Sequence, residues 1–171
     1  YDSCGICTLE NGNYHIYKTL GEVGNLEKEL QTPAQEVVFC GYGEPTMRLD
    51  TVLQVGQTLK KHSHYPQFKI RLNTNGLGNL INKRNIVPEL KTAVDKVYIS
   101  LNAENETLWQ KLMRPAPEYK NGYSSVKEFI QSCAQAGFEK VAASCVENTG
   151  ADIKELALSL GAEFNDREYL K

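Results

Sequence analysis

With 171 residues, 41% of them hydrophobic and 23% charged, the chain is long enough to bury a sizeable core as one domain spanning 1–171. Its 19 basic and 21 acidic side chains are interspersed, which gives a net charge of −2 and no basic stripe of the kind that marks a nucleic-acid footprint. No apolar run approaches the length that spans a bilayer, and an odd count of five cysteines fits reduced thiols in a cytoplasm better than a disulfide framework.

In chain order, the first feature is Tyr1-Asp2-Ser3-Cys4-Gly5-Ile6-Cys7, which carries a C-x-x-C pair. A cysteine directly before Tyr1 would complete C-x-x-x-C-x-x-C, a loop able to place three thiolates on one iron–sulfur cluster. The run Glu36-Val37-Val38-Phe39-Cys40 reads as a buried strand and ends in the Gly-rich turn Gly41-Tyr42-Gly43-Glu44-Pro45-Thr46. Apolar residues at Leu49, Val52, Leu53, Val55 and Leu59 predict a helix over 49–61, with Asp50 near its positive end. Phe68-Lys69-Ile70-Arg71-Leu72 alternates like a strand and runs into the turn cluster Asn73-Thr74-Asn75-Gly76.

A short helix follows with Pro88 in its first turn, and then the strand Lys96-Val97-Tyr98-Ile99-Ser100-Leu101. Residues 106–113 are helical, and Pro115 and Pro117 end that helix. A helix over 124–135 capped by Gly137, a strand over 140–146, a helix over 152–160 closed by Gly161 and a short strand at 162–164 complete the chain. Five strands alternating with helices imply parallel βαβ units. In such sheets ligands bind beyond the carboxyl ends of the strands. The polar turns at 41–46, 73–76, 100–102 and 144–146 all fall there.

Each constellation has a plain alternative. The C-x-x-C pair is compatible with half of a zinc knuckle, a thioredoxin-like redox pair or an accident of composition. Structural zinc needs a second close pair of ligands, which His15, His62 and His64 do not supply at the usual spacing. A thioredoxin pair follows a strand, and none is legible before Cys4, so the cluster loop fits the spacing best. The glycines of the 41–46 turn allow a ligand close to the backbone, and Glu44 can accept from an ammonium group; the alternative is an ordinary turn with a solvated acid. Asn73 and Thr74 are either turn residues or ligands on the binding edge. Ser100 and Asn102 can hold a ribose diol or cap the next helix. Tyr14, Tyr17 and Trp109 read as packing residues, His62 and His64 as solvated. Arg114 serves either a carboxylate or a helix C-terminus.

In order, Cys4-Gly5-Ile6-Cys7, the run from Val37 to Thr46, Asn73-Thr74-Asn75-Gly76-Leu77, Ile99-Ser100-Leu101-Asn102-Ala103, Arg114-Pro115 and Arg167-Glu168-Tyr169-Leu170 resemble a radical S-adenosylmethionine (radical SAM) domain. More narrowly they resemble the TatD-associated radical SAM proteins, over essentially the whole chain. The resemblance implies an α/β fold, an open parallel (β/α)6 partial barrel with the first strand missing from this chain. It implies that Cys4 and Cys7 ligate a [4Fe-4S] cluster. It also implies that Tyr42, Gly43 and Glu44, in place of the family's Gly-Gly-Glu motif, hold the methionine amino group of S-adenosylmethionine. Tyr42 replaces the motif's first glycine. Asn73 and Thr74 then lie near the methionine end, and Ser100 and Asn102 near the ribose. The implied activity is reductive cleavage of S-adenosylmethionine to methionine and a 5′-deoxyadenosyl radical, which abstracts hydrogen from an unidentified substrate. With no further cysteine triplet, electrons are expected from a flavodoxin or ferredoxin. The rival is a non-catalytic α/β binding or scaffold domain with a structural metal or none, and iron and sulfide content separates the two.

Overall fold

The computed structural model describes residues 4–10, 13–17, 35–41, 43–62, 65–146 and 151–167, and sets their strands in a single seven-stranded sheet. In chain order the strands are β1 (Cys4–Glu10), β2 (Asn13–Tyr17), β3 (Glu36–Gly41), β4 (Lys69–Thr74), β5 (Lys96–Ser100), β6 (Lys140–Val146) and β7 (Glu163–Arg167). The helices are α1 (Leu49–Leu59), α2 (Gly78–Ile81), α3 (Val87–Ala93), α4 (Glu106–Met113), α5 (Gly122–Gln135) and α6 (Ala151–Ser159), with 3-10 turns at Pro45–Arg48 and Pro117–Tyr119. The sheet order is β2-β1-β3-β4-β5-β6-β7, and β3 through β7 are parallel. Parallel neighbours that follow one another in sequence need a crossover at every step, and crossovers of one hand stack their helices on one face. The result is an open partial barrel of five parallel strands.

Two strands were not foreseen. The segment expected as a cluster loop is β1, antiparallel to β3 with Cys4 opposite Gly41 and Cys7 opposite Val38. It turns back through β2, also antiparallel. An exposed edge of β3 would leave a row of backbone N–H and C=O groups unpaired, and β1 satisfies them.

The apolar core lies between the parallel strands and the helices. Val37 and Phe39, Ile70 and Leu72, Val97 and Ile99, and Val141, Ala143 and Cys145 supply one face of the sheet to it. From the helices come Val52, Val55 and Leu59, Leu90 and Ala93, Val126, Phe129 and Ile130, and Ile153 and Ala157. Trp109 is 2% exposed, as its packing role required. Gly122 lets α5 close on it, since a Cβ there would meet the indole Cη2 at 2.4 Å. Burying such a ring contributes on the order of 2–3 kcal/mol. Cys133 and Cys145 are buried without a disulfide, and burial pushes the Cys133 thiol up to about 12, so it is chemically inert.

At the amino ends of the strands, buried Asp95 accepts from the Tyr65 hydroxyl at 2.8 Å and the Ile70 N–H at 2.9 Å, and pairs with Lys60 at 3.1 Å. These bonds tie the starts of β4 and β5 to the end of α1 and the loop after it. Among the described residues no helix is long and apolar enough to cross a membrane.

Candidate functional site

Two strand ends converge on Glu44. It caps the 3-10 turn Pro45–Arg48 with its carboxylate 6% exposed at residue level. Oε1 accepts from the Thr46 N–H at 3.1 Å, the Thr46 hydroxyl at 2.7 Å and the Thr74 hydroxyl at 2.7 Å. Oε2 accepts from the Asn75 N–H at 2.7 Å. Hydrogen bonds to a carboxylate are of the stronger, charge-assisted kind, so Glu44 ties the turn after β3 to the turn after β4. Oε1 is saturated, whereas Oε2 keeps one acceptor direction. Glu44 is therefore not a solvated acid.

The turn after β4 is built by its own side chains. The Gly76 N–H donates to Thr74 Oγ1 at 3.1 Å and the Leu77 N–H to Asn75 Oδ1 at 2.9 Å. Gly76 has φ +81°, and a Cβ there would lie 2.9 Å from Ile99 Cγ2, so only glycine fits. Asn73 sits one residue before Thr74, and its Oδ1 is buried with no hydrogen-bond partner.

After β5 the chain folds over β6. The Leu101 and Asn102 N–H groups both donate to the Ser144 carbonyl, at 2.8 and 3.2 Å. Asn102 adopts φ +63°, a left-handed conformation that asparagine tolerates better than most residues, and its Nδ2 donates to Met113 Sδ at 3.2 Å. Its Oδ1 is buried and unpartnered. Ser100 registers opposite Ser144, whose hydroxyl is wholly buried and also unpartnered. Glu104 Oε1 accepts from Asn105 Nδ2 at 3.0 Å while Oε2 is buried without a donor. Asn105 caps α4, and the Tyr123 hydroxyl donates to the Glu104 carbonyl at 2.6 Å. Burial, then the nearby Glu104 charge, raises the Tyr123 pKa.

Native structures rarely leave buried polar atoms unsatisfied, so each such atom asks for an explanation. Among the described residues there are five, and four of them (Asn73 Oδ1, Asn102 Oδ1, Glu104 Oε2 and Ser144 Oγ) lie at or just past the carboxyl ends of β4, β5 and β6. Three are pure acceptors and the fourth is a hydroxyl. That edge is short of donors.

The structure thus gathers Glu44, Asn73, Thr74, Ser100 and Asn102 on one edge of the sheet, with Gly43 directly before Glu44. Tyr42 lies outside the described residues, as do His64 and the terminal Glu168-Tyr169-Leu170. Cys4 and Cys7 belong to β1; by register Cys4 lies opposite Gly41, at the start of the turn before Glu44, and Cys7 opposite Val38, further down β3. Arg114 caps α4 with φ +45°, its N–H donating to the Gln110 carbonyl at 3.0 Å. That is the helix-terminus role. His62 packs edge-on against Phe68 at 6.2 Å. Thr46, Glu104 and Ser144 had been given no role. Ser144 carried a signal, as one of the polar residues at a strand's carboxyl end; Glu104 carried none.

Comparison with known proteins fits this geometry. Chains named probable dual-specificity RNA methyltransferase RlmN are similar. That of Thermosynechococcus vestitus is 29% identical over 121 residues, covering 68% of this chain and 35% of the relative. That of Cytophaga hutchinsonii is 28% identical over 152 residues, covering 84% and 40%. That of Rippkaea orientalis is 26% identical over 162 residues, covering 91% and 46%. The chain spans less than half the length of these relatives. Their names include RNA, against the expectation of no nucleic-acid partner. The narrower resemblance to the TatD-associated proteins is carried by the sequence motifs alone. The family model described as the radical SAM superfamily matches residues 2–157, and the chain belongs to that superfamily.

Proposed function

We propose that this chain is the S-adenosylmethionine-binding core of a radical SAM enzyme acting on a substrate held against the sheet's carboxyl edge. Members of the superfamily use a [4Fe-4S] cluster and S-adenosylmethionine. The observation that carries the reading is the row of unsatisfied acceptors along β4, β5 and β6. S-adenosylmethionine brings the missing donors: an ammonium, two ribose hydroxyls and an exocyclic amine. The residues present fit it. Glu44 Oε2 and the backbone around Gly43 would take the ammonium, with Asn73 and Thr74 beside the methionine and Ser100, Asn102 and Ser144 facing the ribose.

The strand register of the C-x-x-C pair fits a cluster less well. Residues three apart in a strand are separated by about 10 Å along it, so two thiolates on one cluster require the start of β1 to leave β3. The proposal keeps Cys4 and Cys7 as ligands on that condition. Cys4 and Cys7 would hold the cluster and the Glu44 edge the S-adenosylmethionine, which together would supply one-electron chemistry for hydrogen-atom removal from the substrate. The chain's own residues bind and orient: Glu44 locks the two turns, and the buried edge keeps water from the reacting atoms. A flavodoxin or ferredoxin would deliver the electron. A second reading, RNA as the substrate, is favoured by the names of the relatives and is tested by methyl transfer to RNA from labelled S-adenosylmethionine. The main reading is tested by reconstituting the protein anaerobically with iron and sulfide, adding dithionite and measuring 5′-deoxyadenosine. Formation of the nucleoside supports it. A chain that binds zinc in place of iron and makes none is a scaffold domain instead.

A further inference from the structure

Helices cover one face of the parallel sheet, and the other face carries charge. Buried and half-buried residues alternate along β4 and β5, which places Lys69, Arg71 and Asn73, and Lys96, Tyr98 and Ser100, on the inner face. Parallel strands are normally apolar on both faces, so this is a departure that packing alone does not require. Glu36 on β3 pairs with Lys96 at 3.0 Å and lies 3.2 Å from Arg71 Nε. The Arg71 guanidinium lies over the Tyr98 ring at 4.6 Å, and Lys140 Nζ approaches the same ring at 5.9 Å while pairing with Glu163 at 2.7 Å.

Three cations, Arg71, Lys96 and Lys140, therefore face two carboxylates, and the Glu163 side chain is 64% exposed and screened by solvent. Arg71 is the least satisfied member. Its side chain is only 14% exposed, and its Nε, 3.2 Å from a Glu36 carboxylate that Lys96 also claims, is buried without a hydrogen bond. A cation so far from water calls for anionic company beyond a shared glutamate. Stacking on Tyr98 holds the guanidinium plane fixed, which leaves a preoriented fork of N–H donors matched to an oxyanion. Arg71 lies two residues before Asn73 on β4, about 7 Å along the strand from the unsatisfied edge.

We infer that the inner face at Arg71, Lys96 and Lys140 binds a carboxylate or phosphate group of the substrate, one pleat below the carboxyl edge. The inference rests on the edge being the cofactor site, which would bring a carbon near that anion within reach of the reacting atoms. Anion binding itself is measurable without any cofactor.

The test is titration of inorganic phosphate, and separately of malonate, into the cofactor-free chain at constant ionic strength, following the Tyr98 ring resonances. A saturable shift with at least one anion is expected, and the tighter of the two names the group. Arg71→Lys keeps the charge beside Glu36 but loses the fork, and should weaken that binding about tenfold or more. Should that variant fail to fold, Tyr98→Leu leaves the Glu36 pair intact and is expected to weaken binding as well, read at the Arg71 Nε–H. A linear, unsaturated response to both anions would overturn the inference, and so would Arg71→Lys or Tyr98→Leu binding as tightly as the parent. Ser144→Ala separates the two ideas: it should leave anion binding unchanged, and its S-adenosylmethionine affinity reports on the cofactor edge alone.

Discussion

Glu44 Oε1 accepts the hydroxyl of Thr74, thirty residues away in the chain, at 2.7 Å, and this bond fastens the turn after β3 to the turn after β4. A solvated acid in an ordinary turn, the alternative the sequence allowed, would be replaced by its amide without harm to the fold. Burial and four donors change that expectation. In Glu44→Gln the new NH2 group faces hydroxyl or N–H donors. Both stability and S-adenosylmethionine binding should fall, the stability loss being roughly 1–3 kcal/mol in chemical denaturation. A variant as stable as the parent would mean that the clamp is not formed in solution.

The Tyr65 hydroxyl makes the second prediction. Burial, then its bond to Asp95, raises its pKa from 10.0 to about 12. The folded pKa lies above the unfolded one, so the neutral phenol's contribution to stability is complete below pH 10 and is lost as pH rises toward 12. Thermal melts of the parent should fall more steeply than those of Tyr65→Phe across that window. Parallel curves would show that Tyr65 titrates normally.

Much of the architecture was legible, and the misses have physical reasons. The helix over 106–113 matches α4, and the five parallel strands follow from apolar runs closed by Gly or Asn turns. The β1–β2 hairpin was overlooked because C-x-x-C was read as a motif, although Asn11-Gly12 between the two strands is a strong hairpin signal. The polar edge was placed correctly by the rule of strand carboxyl ends. Which of its atoms lack partners was not legible, since Asn102 Oδ1 and Ser144 Oγ depend on how β5 folds over β6. The Arg71 fork left a trace: Lys69-Ile70-Arg71-Leu72 alternates where a strand buried on both faces would be apolar throughout.

Cys4 and Cys7 carry the third prediction. Replacing both by Ala should remove the iron bound after reconstitution and leave the melting transition of the parallel core in place, because the core is made by β3 to β7 and their helices. Iron content equal to the parent's would exclude these residues as ligands.

The most direct measurement concerns Ser144 and Asn73, whose buried side-chain oxygens have no partner. Calorimetric titration of S-adenosylmethionine into the reconstituted protein should show about fivefold weaker binding or more for Ser144→Ala and for Asn73→Ala, the loss of roughly one hydrogen bond each. Stability should stay within about 0.5 kcal/mol of the parent or rise, since the buried oxygen removed has no internal partner. Unchanged affinity in both variants, or a loss of stability with no change in binding, would contradict the assignment of this edge to the cofactor.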